Sequence, residues 1–279
     1  MLVLVKFAKD KASVLGALIV IAVVLLAMLA PYIAPYPGDA SASHLLRRLK
    51  PPSAAHPFGT DNLGRDILSR VILGTRGALK IALLVVGVAM LIGVPLGLYA
   101  GYARNWLSEG IMRFTDVFLA VPQLILALAI AQMIGPSLES AMLALTLTYW
   151  PFFTRIVYAE ARRLEQALFV DALKCMGAGT TRILFLHVLP NCISPVIVRA
   201  TIGMGFTILV AAALGFLGMG ATPPDPDWGL AISESRQYLP DAWWFSTFPG
   251  LAIFLTVLGF NLLGDGLRDI VDPRLRRSR

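Results

Sequence analysis

Residues 12–38 form a stretch of 27 without a single charged side chain. Four more such stretches follow, at 81–103, 117–138, 200–224 and 242–264, of 23, 22, 25 and 23 residues. Crossing the hydrocarbon layer as a helix takes about 20 mostly apolar residues, because every backbone polar group must be satisfied within the segment. Each of the five is long enough. A shorter run, 140–154, has 15 residues and continues past Arg155 as Ile156, Val157, Tyr158 and Ala159. With Arg155 snorkelling to an interface, it makes a sixth span. The pattern predicts an all-α, polytopic membrane protein with six transmembrane helices. Charged residues are 15% of the chain, against about 25% in a soluble domain.

The first run follows Lys6, Lys9 and Lys11 and so has the start of a signal peptide. A signal peptide's apolar region is about 7–15 residues, so this longer run reads as an uncleaved anchor. The chain divides into a cytoplasmic N-terminus (1–11), a first span (12–35), an external loop (36–79), a core of five spans (80–267) containing a cytoplasmic loop (160–190), and a cytoplasmic tail (268–279). An even span count puts both termini on one side, and Lys/Arg asymmetry selects the cytoplasm. Sixteen of the 24 Lys and Arg then lie inside, and the whole net charge of +7 with them. A pI near 9.7 is thereby an orientation signal, and nucleic acid is not an expected partner.

Seven of the eight outside basic residues sit between 38 and 81, among them Arg65 and Arg70. They are interleaved with Ile67, Leu68, Val71 and Ile72, which suits either an interfacial amphipathic helix or a solvated loop helix. The Pro-rich external stretch 221–244 reads as a fixed turn-rich loop rather than a helix. Trp243 and Trp244 fit an interfacial aromatic belt.

No nucleotide P-loop, zinc-protease or nucleophile-elbow motif is present in the sequence. His44, His56 and His187 are far apart, and no metal-ligand spacing appears. Asp116 and Asp265 are the only pair that could make an intramembrane aspartyl dyad. Both fall at predicted cytoplasmic span ends, where pairing with Arg113 or Arg268 is the simpler role. The chain is therefore not expected to be an enzyme. Polar candidates within spans include Gln123, Gln132, Thr146, Thr148, Thr207 and Asn261. Gln123, Gln132, Thr207 and Asn261 are candidates for lining a path, and each suits an interhelical hydrogen bond equally well. A stand-alone secondary transporter would carry buried carboxylates at the midplane, and the predicted spans show few. Gly93, Pro95 and Gly97 either allow close helix packing or kink the second span.

The inside loop is too long for a connector. Leu164, Leu168, Val170, Ala172, Leu173 and Met176 lie mostly at helical spacing. Gly177 and Gly179 interrupt them as a C-cap glycine does. A second helical run starts at Thr180 and is expected to stop at Pro190. Helix, glycine turn, helix is a rigid platform for a soluble partner.

Asp171-Ala172-Leu173, Gly177 and Val188-Leu189-Pro190 resemble the E-A-A-x-x-x-G-x(9)-I-x-L-P loop of bacterial ABC importer permeases, a loop that also includes Ala178. Asp replaces Glu, Leu173 replaces Ala, and His187 stands at the Ile position. Phe58-Gly59-Thr60-Asp61-Asn62-Leu63-Gly64-Arg65-Asp66 is similar to a segment of dipeptide/oligopeptide (and nickel) permeases of the C-subunit type. So are Leu214 to Gly220, Pro226-Asp227-Trp228-Gly229, and Asn261 to Asp269 with Asp272-Pro273. The resemblance implies a type I ABC importer permease fold and a bacterial inner-membrane location. It implies as partners a second homologous permease in a heterodimer, two ATP-binding subunits and an external substrate-binding protein. The segment from Leu168 and Val170 to Pro190 would then seat in an ATPase. ATP and Mg²⁺ would be held by the ATPase subunits, with no cofactor on this chain.

Overall fold

The computed structural model describes residues 10–38 and 42–271. Asp39, most of the N-terminal segment and Asp272-Pro273 with the rest of the tail lie outside these. Helices account for nearly all regular structure among the described residues, with one isolated bridge between Thr60 and Asp66.

Helix α1 (Lys11–Ile33) starts where the Asp10 carboxylate accepts hydrogen bonds from the Ala12 and Ser13 amides. That satisfies two of the orphan donors of a helix start. Most of α1 is exposed, with Leu18, Ile21, Leu25 and Met28 facing outward, as suits a helix against lipid. Ser13, Gly16, Ala27 and Ala30 face inward. A Cβ at Gly16 would lie 2.6 Å from the Leu263 amide, and one at Gly259 would lie 2.6 Å from Ile19.

Helix α2 (Ile67–Tyr102) has 36 residues, about 54 Å at 1.5 Å per residue. It is capped by Asp66, which accepts from the Ser69 amide at 2.8 Å. Residues 67–80 are therefore the first turns of the second span, and no separate helix lies along the membrane there. Ile67, Arg70, Val71 and Ile72 are all buried, because these turns are packed under the segments before α2 and after α7.

The third predicted span is broken. Helix α3 (Trp106–Ala120) and helix α4 (Gln123–Ile134) meet at 90°. Pro122 disfavours the helical conformation at the preceding residue, and Val121 is extended at φ −96°, ψ 132°. At 12 residues, about 18 Å, α4 is too short to span alone.

Helix α5 (Leu138–Glu165) is the centre of the bundle. Leu145, Tyr149, Phe153 and Val157 are fully buried. Gly93, Gly97 and Gly101 on α2 lie one turn apart and touch it. A Cβ on them would sit 2.5, 2.5 and 2.6 Å from the carbonyl oxygens of Trp150, Thr154 and Tyr158. Small residues at a four-residue interval let two helix backbones meet, so these glycines pack α2 on α5. Being enclosed, α5 has no need of a continuous apolar surface. Among the described residues four helices are long and apolar enough to cross a membrane on their own, or five with α3–α4 taken as one, and α5 is not among them.

Helix α6 (Leu168–Cys175) and helix α7 (Thr180–Phe216) follow. The run from Thr180 does not stop at Pro190. A π turn over Leu184–Val188 loosens the ladder ahead of the proline, which lacks an N–H and would crowd the preceding turn of an α-helix. The helix then continues through Pro195 to Phe216. Helix α8 (Trp228–Ser235) lies in the stretch expected to be only turns. Asp227 caps it, accepting from the Leu230 amide at 2.8 Å, and its Trp228, Leu230 and Ala231 are buried. Helix α9 (Trp243–Val271) completes the bundle.

Candidate functional site

At one end of the bundle, α6 lies against the ends of α2 and α5. Val170 is fully buried, while Leu173 and Ala178 are half-buried against the main core. Leu168 (87% exposed), Asp171, Ala172 and Gly177 face away from it. The helix ends in a Schellman turn. The Ala178 amide donates to the Leu173 carbonyl and the Gly177 amide to the Lys174 carbonyl, both at 3.0 Å, with Gly177 at φ +79°. A left-handed residue here favours glycine.

A chain of charges ties α6 to its neighbours. Lys174 Nζ donates to Glu165 Oε1 at 3.3 Å, and Arg104 Nη2 donates to Glu165 Oε2 at 2.6 Å. Lys174 also lies 5.7 Å over the Tyr102 ring. Desolvation works against the Lys174 ammonium, but the Glu165 hydrogen bond and charge outweigh it and raise its pKa. These contacts tie α6 to α5 and to the corner between α2 and α3. Leu189 is half-buried where α7 leaves the π turn, and Pro190 beside it is exposed.

The opposite end is closed by a cap built from residues 42–66 and 217–244. Arg65 is its centre, with no exposed surface. Its Nε donates to Asp61 Oδ2 at 2.5 Å and its Nη2 to Glu234 Oε2 at 3.0 Å. Asp61 also accepts from the amides of Leu63 and Arg65. Burial pushes the Glu234 carboxyl above its ordinary value, and Arg65 and Arg70 pull it back. Trp244 is buried here and donates to the Thr60 carbonyl at 3.2 Å. It is not a belt residue, while Trp243 remains half-exposed. The F-G-T-D-x-x-G-R-D segment is therefore a folded plug that fixes the start of α2.

The family described as "Binding-protein-dependent transport system inner membrane component" matches residues 93–277. A relative, the dipeptide transport system permease protein of Alkalihalophilus pseudofirmus, is 43% identical over 96% of this chain and 88% of its own length. This chain is a member of the binding-protein-dependent transport family. A second family, described as "N-terminal TM domain of oligopeptide transport permease C", matches residues 2–52. The permease is also 45% identical to the dipeptide transport system permease protein of Escherichia coli over 97% of this chain and 92% of that one. It is 42% identical to a di/tripeptide transport system permease protein of Pseudomonas aeruginosa, over 98% and 91%. Among solved structures it is similar to the MetNI methionine ABC transporter in an inward-facing conformation. The TM-score is 0.60 at 20% identity, covering 73% of this chain and 96% of that one. The fold is that of a type I ABC importer permease.

The four candidate path residues of this permease do not form one row. Gln132 is exposed near the end of α4, and Asn261 is half-buried on α9. Gln123 meets α5, and Thr207 is buried on α7. Gln123 Nε2 reaches Thr148 Oγ1 at 3.5 Å, next to Tyr149. Arg199 of α7 lies over the rings of Tyr149 and Phe152, at 5.7 and 4.8 Å. Charge-free runs put Arg199 at a span end, yet it is nineteen residues into a 37-residue helix. Asp116 pairs with Arg155 at 3.0 Å, not with Arg113 or Arg268, and Asp265 is exposed. The two aspartates therefore form no buried dyad.

Proposed function

We propose that this chain is one of two homologous permease subunits of an ATP-driven importer of di- or oligopeptides, working with two ATPase subunits and an external binding protein. The observation that carries the reading is α6. It is a short amphipathic helix, seated on the core by Val170 and braced by Glu165, that presents Leu168, Asp171 and Ala172 outward at one end of the bundle. Such a helix is a surface for an ATPase to push. The start of α1 and the end of α9 lie at the same end as α6, since both helices run between that end and the cap. The excess of Lys and Arg there makes it the cytoplasmic side, with both termini inside and the cap facing the binding protein. ATP and Mg²⁺ sit on the ATPases. Peptides are the substrate class because relatives matched over nearly the whole chain are named for dipeptide and di/tripeptide transport.

The test is reconstitution of the chain with the partner chains encoded beside it. ATP-dependent peptide uptake that also requires the binding protein is the expected result. Uptake by the chain alone, without ATP, would make it a secondary transporter instead.

A further inference from the structure

Four buried polar atoms without hydrogen-bond partners lie inside the bundle: Gln123 Oε1, Tyr149 Oη, Arg199 Nε and Thr207 Oγ1. A buried polar group usually finds a partner, and two of the four, Tyr149 and Arg199, are in direct contact. Gln123 meets Thr148, beside Tyr149 in the chain. The Tyr149 hydroxyl lies where a side chain at Gly203 would begin, 2.3 Å from a Cβ there. Arg199, Gly203 and Thr207 are successive turns of one face of α7. The guanidinium of Arg199 rests on two aromatic faces, Tyr149 and Phe152, and among the described residues no carboxylate pairs with it. Arg155, one turn beyond Phe152 on α5, is already neutralised by Asp116. An ionisable side chain deep in a span is costly and marks a functional pathway by default.

We propose that Arg199, supported by Tyr149, is a site inside the bundle for the terminal carboxylate of the passing peptide; this rests on the peptide-import reading above. Arg199 lies seventeen residues from Phe216, roughly 25 Å from the cap end of α7. A guanidinium fork matches a carboxylate in two parallel hydrogen bonds. The half-exposed side chain holds that anion weakly enough to release it, as conduction requires. Tyr149 Oη stands one helical turn, about 6 Å, further along α7. Tyr149 is fully buried, so it supports the guanidinium through its ring face and does not itself meet the peptide.

The test uses the complete complex in proteoliposomes, with alanyl-alanine and its C-terminal amide as probes, each saturating the binding protein. The binding protein's own preference cancels when the acid-to-amide uptake ratio of a variant is divided by that of the wild type. R199Q should lower the ratio by about tenfold, the size of a lost hydrogen bond to a charge, with R199K intermediate. ATPase stimulation by the loaded binding protein should persist. Equal loss for both probes, or an unchanged ratio, overturns the proposal. Loss of the co-purifying second permease in R199Q would also overturn it, by making Arg199 an intersubunit pair. A wild-type complex that imports neither probe would instead overturn the peptide-import reading.

Discussion

Gly177 isolates one physical effect. Its φ is +79°, and a Cβ added there meets nothing within 4 Å. Substitution therefore brings no clash, and the whole cost is left-handed backbone strain. For an ordinary L-residue that is about 1–2 kcal/mol. Asn tolerates the conformation better, and a β-branched residue worse. The anchor of α6 is of the same size, because burying a residue such as Val170 contributes about 1.5–3 kcal/mol. Strain at its C-cap thus competes directly with its seat on the core, and every 1.4 kcal/mol shifts the seated population tenfold. The reconstituted complex should lose peptide uptake per ATP hydrolysed in the order Gly177→Asn, Gly177→Ala, Gly177→Val, with Val losing most. The melting temperature of the membrane domain should stay nearly constant, since the main core is untouched. A Val variant that matches wild type, or an Asn variant worse than Val, would refute the reasoning.

Gly97→Leu should lower the melting temperature of the purified chain, because Thr154 O and Val157 Cβ stand 2.5 and 2.9 Å from the new Cβ; about 1–3 kcal/mol is expected from overpacking. Gly87→Leu, on the same helix with open space around it, is the control and should melt like wild type. Arg65→Met should destabilise the cap by about 3–5 kcal/mol, as removing one member of a buried ion pair does, read as faster protease cleavage within 42–66. In intact cells an impermeant thiol reagent should label a cysteine introduced by Ser43→Cys, at an exposed position of the cap. It should leave the exposed native Cys175 unlabelled until the membrane is opened; the reverse pattern inverts the topology.

The membrane class, the glycine-terminated helix in the inside loop and the family resemblance were legible in the residue order. These are local properties: runs without charge, a helical spacing, a cap glycine, a motif. A span count from charge-free runs was less secure, because such runs record composition and not direction. Val121-Pro122 bends one run by 90°, and a π turn carries another helix straight through Pro190. The external loop was harder still. Arg65, read as one of a scatter of basic residues, is fully buried, because Glu234 reaches it from 169 positions away and Asp61 from four. Arg199 shows the same limit. Its neighbours in sequence place it at a span end, and its neighbours in space, Tyr149 and Phe152 on another helix, place it mid-bundle. Burial and pairing depend on what a different segment brings to the same point, so the tertiary packing alone settles where each charge sits.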